Sequence, residues 1–332
     1  MPAELFGERY KFLPRDEILS FEEIERLVRL FVGFGIEKIR ITGGEPLLRH
    51  DVSGLIERLV NVGREAESAQ SDGSSASVTT TRGALDIAMT TNGSLLPRFA
   101  KSLAASGLSR LTVSLDSLDP EIFHRTNGER FDVARVLEGI GAAEHAGFSR
   151  LKINCVVQRG VNDEGLVELA EHFRGTGHIL RFIEFMDVGT RNEWRMDEVI
   201  EGAEIIEKIS AVLPLEPVDP GYAGEVAKRW RYLDGSGEIG VITSVSAPFC
   251  GDCSRARLTT EGSLVTCLFA EGGVDLRGPM RAGADDDELR EIIASTWAGR
   301  RDRYSEERQG LLQIEGSGER ARERVEMYQI GG

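Results

Sequence analysis

Residues 37–46 read EKIRITGGEP. Ile39 and Ile41 alternate with Arg40 and Thr42, the period of two that a strand imposes because successive side chains leave on opposite faces. Gly43 and Gly44 then let the backbone turn and approach a ligand closely, and Pro46 can start the next segment. One face of this strand is apolar and the other carries a cation. A strand of a parallel sheet covered on both sides would be apolar throughout. Either this strand lies at an edge, or the sheet has a polar face for a reason.

Reading outward, the same alternation returns. Ile87 and Met89 alternate with Ala88, Thr90 and Asn92; Leu111, Val113 and Leu115 with Thr112, Ser114 and Asp116; Leu151, Ile153, Cys155 and Val157 with Lys152 and Asn154. Strands are expected at 87–92, 110–116, 150–157 and 179–186. The last is less regular, with Arg181 and Glu184 on opposite sides. Helices are expected near 95–106, 132–146 and 163–174. Ahead of the first strand, Ser20 and Glu23 form a capping box for a helix whose Ile24, Leu27, Val28, Phe31 and Phe34 recur at helical spacing until Gly35. Alternating strands and helices imply βαβ units in an α/β fold with a parallel sheet. Four split strands are too many to be edges. The expectation is a partial (βα) barrel around a polar cavity, with chemistry at the C-terminal ends of the strands. This barrel is expected over 1–190, interrupted by a polar, Ser- and Thr-rich insertion at 64–83 that composition predicts to be disordered. A more irregular domain is expected over 191–332.

The chain has 332 residues, 55 acidic against 40 basic, for a net charge of −15. That balance speaks against a general nucleic-acid binder but not against one small anion held by local arginines. No apolar run reaches the roughly 18 residues of a membrane span, and the first residues have neither a basic start nor an apolar core of a signal peptide. A soluble cytoplasmic protein is expected; were the source eukaryotic, a mitochondrial address would lie ahead of Met1.

Three of the four cysteines fall in FCGDCSRARLTTEGSLVTCLF, residues 249–269. Cys250, Cys253 and Cys267 supply three thiolates, and the remaining Cys155 is far upstream. Two readings stay open. A structural zinc site favours four closed ligands, and one of His50, His124, His145, His172 or His178 would have to complete it. An iron–sulfur cluster held by three thiolates keeps one coordination position open to a small molecule. Arg255 and Arg257 then stand beside that position as planar donors suited to phosphate or purine edges. No P-loop pattern occurs. The end, MYQIGG, reads either as a frayed tail or as a side-chain-free segment able to thread into a crowded pocket.

Together these stretches resemble the GTP 3',8-cyclase family, radical S-adenosylmethionine (SAM) enzymes of molybdenum cofactor biosynthesis. The resemblance runs through FLPRDEILSFEEIERL, KIRITGGEPLLR, TTNG, LTVSLDSLD, KINCVVQRGVND and LRFIEFMDVG to the cysteine motif and the final Gly-Gly. It implies a lyase-type cyclase converting GTP to 3',8-cyclo-7,8-dihydro-GTP. It implies that Cys250, Cys253 and Cys267 bind an auxiliary 4Fe-4S cluster whose open iron meets guanine. GTP would be bound by Arg40, Thr90, Lys152, Arg255, Ala256 and Arg257; SAM by Gly44, Ser114 and Met186; and Gly331 and Gly332 would reach into the active site. No residue is singled out as the catalytic acid or base. An electron donor is implied, no nucleic acid or membrane partner is, and a homodimer is compatible.

In one respect the chain departs from the family, which carries C-x-x-x-C-x-x-C on a first barrel strand just before an MP pair. This sequence opens at MPAELFGERY. A second 4Fe-4S cluster is therefore expected only with a longer N-terminus, and the chain as written is expected to be inactive. Three readings follow: an active cyclase with a misassigned start, a truncated GTP-binding remnant, or a zinc-stabilised structural module.

Overall fold

The computed structural model describes residues 13–71, 85–128, 131–189, 194–222, 224–251, 253–308 and 325. Helix α1 (Phe21–Gly33) starts at the expected capping box, with the Ser20 hydroxyl accepting from Glu23 N at 3.2 Å and the Glu23 carboxylate from Ser20 N at 2.7 Å. It ends where Gly35 adopts φ +86° and Ile36 N returns to Phe31 O.

The sheet follows from the alternating segments. Strands β1 (Lys38–Ile41), β2 (Asp86–Thr91), β3 (Arg110–Ser114), β4 (Lys152–Val157) and β5 (Ile179–Glu184) pair in parallel in chain order. Between them run α2 (Val52–Ser71), α3 (Leu96–Ala105), α4 (Pro120–Asn127), α5 (Val133–His145) and α6 (Leu166–Phe173). The apolar face of the strands supplies Ile87, Met89, Leu111, Val113, Ile153, Cys155, Leu180 and Phe182 to the main core, sealed by Ile56, Leu96, Val136 and Leu169 of the helices.

Residues beyond 190 continue the sheet. After α7 (Gly202–Ser210) come β6 (Leu215–Val218), β7 (Lys228–Tyr232) and β8 (Glu238–Ile242); β8 pairs in parallel with β5, and β7 and β6 follow antiparallel. The βα rhythm fades in the sequence because this edge is a meander that needs no helix between strands.

Strand order β1-β2-β3-β4-β5-β8-β7-β6 leaves β1 and β6 unpaired at the two margins. In a flat sheet those margins would stand roughly 34 Å apart. Yet the Lys38 ammonium of β1 sits 4.2 Å from the ring of Tyr222, on the connection between β6 and β7. The sheet is therefore curled into an open barrel, with its polar face inside.

A small second sheet, β9 (Arg257–Leu258), β10 (Ser263–Val265) and β11 (Val274–Asp275), carries the cysteine loops. Gly262 turns this hairpin at φ +89°, where a Cβ would come within 2.7 Å of Arg277. Helices α8 (Arg277–Arg281) and α9 (Asp286–Ala298) follow. Leu264, Leu276, Met280, Leu289 and Ile293 join Leu19, Leu27 and Leu30 in a second core, which ties the cysteine region to α1.

One expectation is corrected. Residues 64–71 of the supposed disordered insertion are the last turns of α2, because Arg64, Glu65, Ala66, Glu67 and Ala69 are good helix formers that prolong an established helix at little cost. The remainder, 72–83, and the Gly331–Gly332 tail lie outside the described residues. Helix α4 was not foreseen, although Asp119 caps it by accepting from Glu121 N and Ile122 N and Pro120 opens it.

Candidate active site

The strand register stacks the polar residues into layers. Arg40 lies opposite Ala88, and Ala88 opposite Arg110; Thr90, Thr112, Lys152 and Ile179 form the next row; Ser114, Asn154, Arg181 and Gly240 the next. Arg40 Nη1 donates to the hydroxyls of Thr90 at 2.8 Å and Thr112 at 3.0 Å. Arg181 donates to Asn154 Oδ1 through Nε at 2.9 Å and Nη2 at 2.6 Å. Gly240 makes room for it, since a Cβ there would meet the Arg181 stem at 3.2 Å.

Four cations thus share one concave wall, and only Arg110 is paired to a carboxylate among the described residues, with Nε 2.9 Å from Asp86 Oδ1. Their mutual effect is visible in the pKa values. Burial, then Arg181, Arg110 and Arg40, push Lys152 down to about 8. Burial and Arg40 push Arg181 down to about 10. Arg40 is lowered by burial and by Arg110, while its guanidinium stays open to the cavity. In a chain of net charge −15 this is a costly arrangement unless an anion offsets it.

The C-terminal ends of the strands form the rim. Gly44 is exposed just past β1, Ser114 ends β3, and Met186 follows β5 and packs with Cys267 against Val188, Val265 and Phe269. Glu45 fixes the first turn: Thr91 Oγ1 and Leu47 N donate to Oε1 at 2.8 and 3.0 Å, and Asn92 N to Oε2 at 2.7 Å. Glu184, fully buried at the end of β5, accepts from Gly202 N at 2.7 Å, Val245 N at 2.7 Å, Ser246 N at 2.8 Å and the Ser246 hydroxyl. It thereby holds the turn that leads into Cys250.

Pairing of Val265 with Arg257 folds Cys267 back toward Cys253. Arg255 donates to Cys253 Sγ from Nε at 3.2 Å and Nη2 at 3.1 Å, and lies 5.1 Å from the Phe249 ring. Burial raises the Cys253 pKa, but hydrogen bonds from the Arg255 N–H and the Arg300 side chain, together with the Arg255 charge, prevail and bring it to about 7. Burial raises Cys267, partly offset by the Phe269 N–H at 3.4 Å. Arg257 is pushed by burial and by Arg255 to about 10 and has no carboxylate partner among the described residues. Ala256 is exposed between the two arginines.

Among the described residues no three His, Cys, Asp or Glu side chains are close enough to hold a single ion. Tetrahedral zinc bound at about 2.3 Å needs thiolates less than about 4 Å apart, whereas a cubane meets each thiolate through a different iron and accepts a wider spacing. Three thiolates are a donor set that a 4Fe-4S cluster can take.

Residues 6–173 match the Radical SAM superfamily, and residues 178–306 match Molybdenum Cofactor Synthesis C. All of this chain aligns with 91% of the GTP 3',8-cyclase of Xanthomonas axonopodis pv. citri (strain 306) at 48% identity. The chain belongs to this family. The GTP 3',8-cyclase of Acidothermus cellulolyticus is 46% identical, over 100% of this chain and 91% of its own. A radical SAM methyltransferase from Sphaerobacter thermophilus is a weaker structural match, with TM-score 0.43 and 19% identity over 58% of this chain and 54% of that one. Among the described residues no helix is long and apolar enough to cross a membrane.

Sequence reading missed three side chains of this site. Arg110 precedes the clean alternation of its strand, Arg181 sits on the irregular one, and Arg300 is far along the chain from Cys253. For the first two the parity of the strand was a usable signal.

Proposed function

We propose that this chain is a radical SAM enzyme that cyclises GTP, the activity for which its relatives are named, with Cys250, Cys253 and Cys267 holding an auxiliary 4Fe-4S cluster. The observation that carries the reading is a wall of cations with too few carboxylates inside the barrel, in a chain whose cysteine loops carry two further arginines. Arg40, Lys152 and Arg181 would take the triphosphate. Arg255, Ala256 and Arg257 would take the guanine end beside the cluster. Gly44, Ser114 and Met186, on the rim, would hold SAM. Bound SAM, with a reducing cluster whose C-x-x-x-C-x-x-C ligands this sequence does not include, would supply a carbon radical able to remove a ribose hydrogen. The protein's own task is to orient the ribose and exclude water: Thr90 and Thr112 fix the Arg40 guanidinium, and the Glu45 network stiffens the turn after β1. Val325 N donates to Ala270 O at 3.0 Å, which sets Val325 against the chain three residues past Cys267. Gly331 and Gly332 would reach into the active site. An external electron donor would be required.

Reconstitution with iron and sulfide without oxygen should yield about four iron atoms per chain. Added GTP should change the electron paramagnetic resonance signal of the reduced cluster. Stoichiometric zinc in place of iron, or a signal indifferent to GTP, would sink the reading.

A further inference from the structure

Arg300 and Asp302 belong to none of the motifs above. Arg300 lies just past α9, where its N–H donates to Trp297 O at 3.2 Å and its guanidinium lies 4.9 Å from the Trp297 ring. Its side chain is only 12% exposed. Nη1 donates to the Cys253 carbonyl oxygen, and Nε stands 3.5 Å from Asp302 Oδ2. The same Oδ2 accepts the Thr266 hydroxyl at 2.6 Å, and Thr266 immediately precedes Cys267. A third piece of chain therefore grips both cysteine loops. That piece is itself anchored, because Leu289 and Ile293 of α9 pack on Leu27 and Leu30 of α1, and Arg26 reaches Asp286 and Ala284 O at 2.8 Å each.

We infer that Arg300 and Asp302 form a positioning brace, setting the separation of Cys253 and Cys267 so that both thiolates meet one iron–sulfur cluster. The inference rests on the auxiliary-cluster reading above. An exposed ion pair would do little here. This one ends on a backbone carbonyl and on a hydroxyl, and it restrains two loops that would otherwise lose conformational freedom at cluster assembly. Cys250 is joined to the braced residue directly, since Cys253 N donates to its carbonyl at 3.2 Å, and the turn held by Glu184 leads into it from the other side.

The test uses the full chain, reconstituted without oxygen, in five forms: unchanged, Arg300→Met, Asp302→Ala, Thr266→Val and the double variant Arg300→Met with Asp302→Ala. Iron per chain, the resonance spectrum, and the rate of iron loss to a ferrous chelator are measured alongside the thermal midpoint. Iron loss should quicken roughly tenfold in each variant, the scale on which partners of metal ligands act, while the midpoint stays near that of the unchanged chain. Joining Arg300→Met to Asp302→Ala should add little, as expected for one device. Thr266→Val exchanges the hydroxyl for a methyl group of similar size, so it decides the matter should a larger change unfold the protein. Unaltered iron loss in Thr266→Val and in the folded variants overturns the brace. An unchanged chain that takes up no iron overturns the cluster reading and the brace with it, and the iron assay tells the two failures apart.

Discussion

Lys152 carries the least comfortable charge on the cavity wall. Burial and three neighbouring arginines lower its pKa to about 8, so the ammonium is favoured at neutral pH and lost as pH rises past 8. A triphosphate bound there would pull the value back up. Nucleotide affinity should therefore be level below pH 8 and fall between pH 8 and 9, by at most tenfold per unit. Titration calorimetry across that range checks it, and Lys152→Met should flatten the profile. Arg257 is the second telling residue, a half-buried guanidinium without a carboxylate partner among the described residues. A charge-assisted hydrogen bond contributes about 1.5–3 kcal/mol. Arg257→Ala should thus weaken GTP by roughly tenfold to a hundredfold, and unchanged affinity would displace that side chain from the site.

At the scale of elements, the alternation of β1 to β4 was legible because a sheet with one polar face writes itself into the parity of its residues. Ile39/Arg40 and Ile153/Lys152 are enough to see it. The capping box of α1 was legible for a similar reason, since both partners lie within one turn. What joins distant segments was not. The attachment of β8 to β5 depends on a meander without βα rhythm, and Arg300 meets Cys253 only because α9 docks on α1. Glu184 is the plainest case, a single carboxylate binding β5 to α7 and to the turn before Cys250. Glu184→Ala would leave two buried N–H groups and a part-buried third unsatisfied. It should cost about 3 kcal/mol or more, read as a shift of the denaturant midpoint with unchanged slope.

Over the whole molecule, an acidic surface surrounds a basic interior. The cations stand in successive layers of the barrel, so each further phosphate should find a partner. GTP should bind at least tenfold more tightly than GMP, by calorimetry in matched salt; equal affinities would mean that the wall is not the phosphate site. The radical SAM and Molybdenum Cofactor Synthesis C matches meet between residues 173 and 178, yet one continuous sheet crosses that point through the parallel pairing of β4 with β5. Two sequence families here share one hydrogen-bonded scaffold, and neither half can be cut away without opening a sheet edge.

Helix α2 runs back from the rim, so its far end, 64–71, emerges at the base of the barrel, remote from Gly44 and Ser114. An immobilising linker joined there would leave the working mouth facing outward, which makes that helix end the place to tether the protein to an electrode for voltammetry.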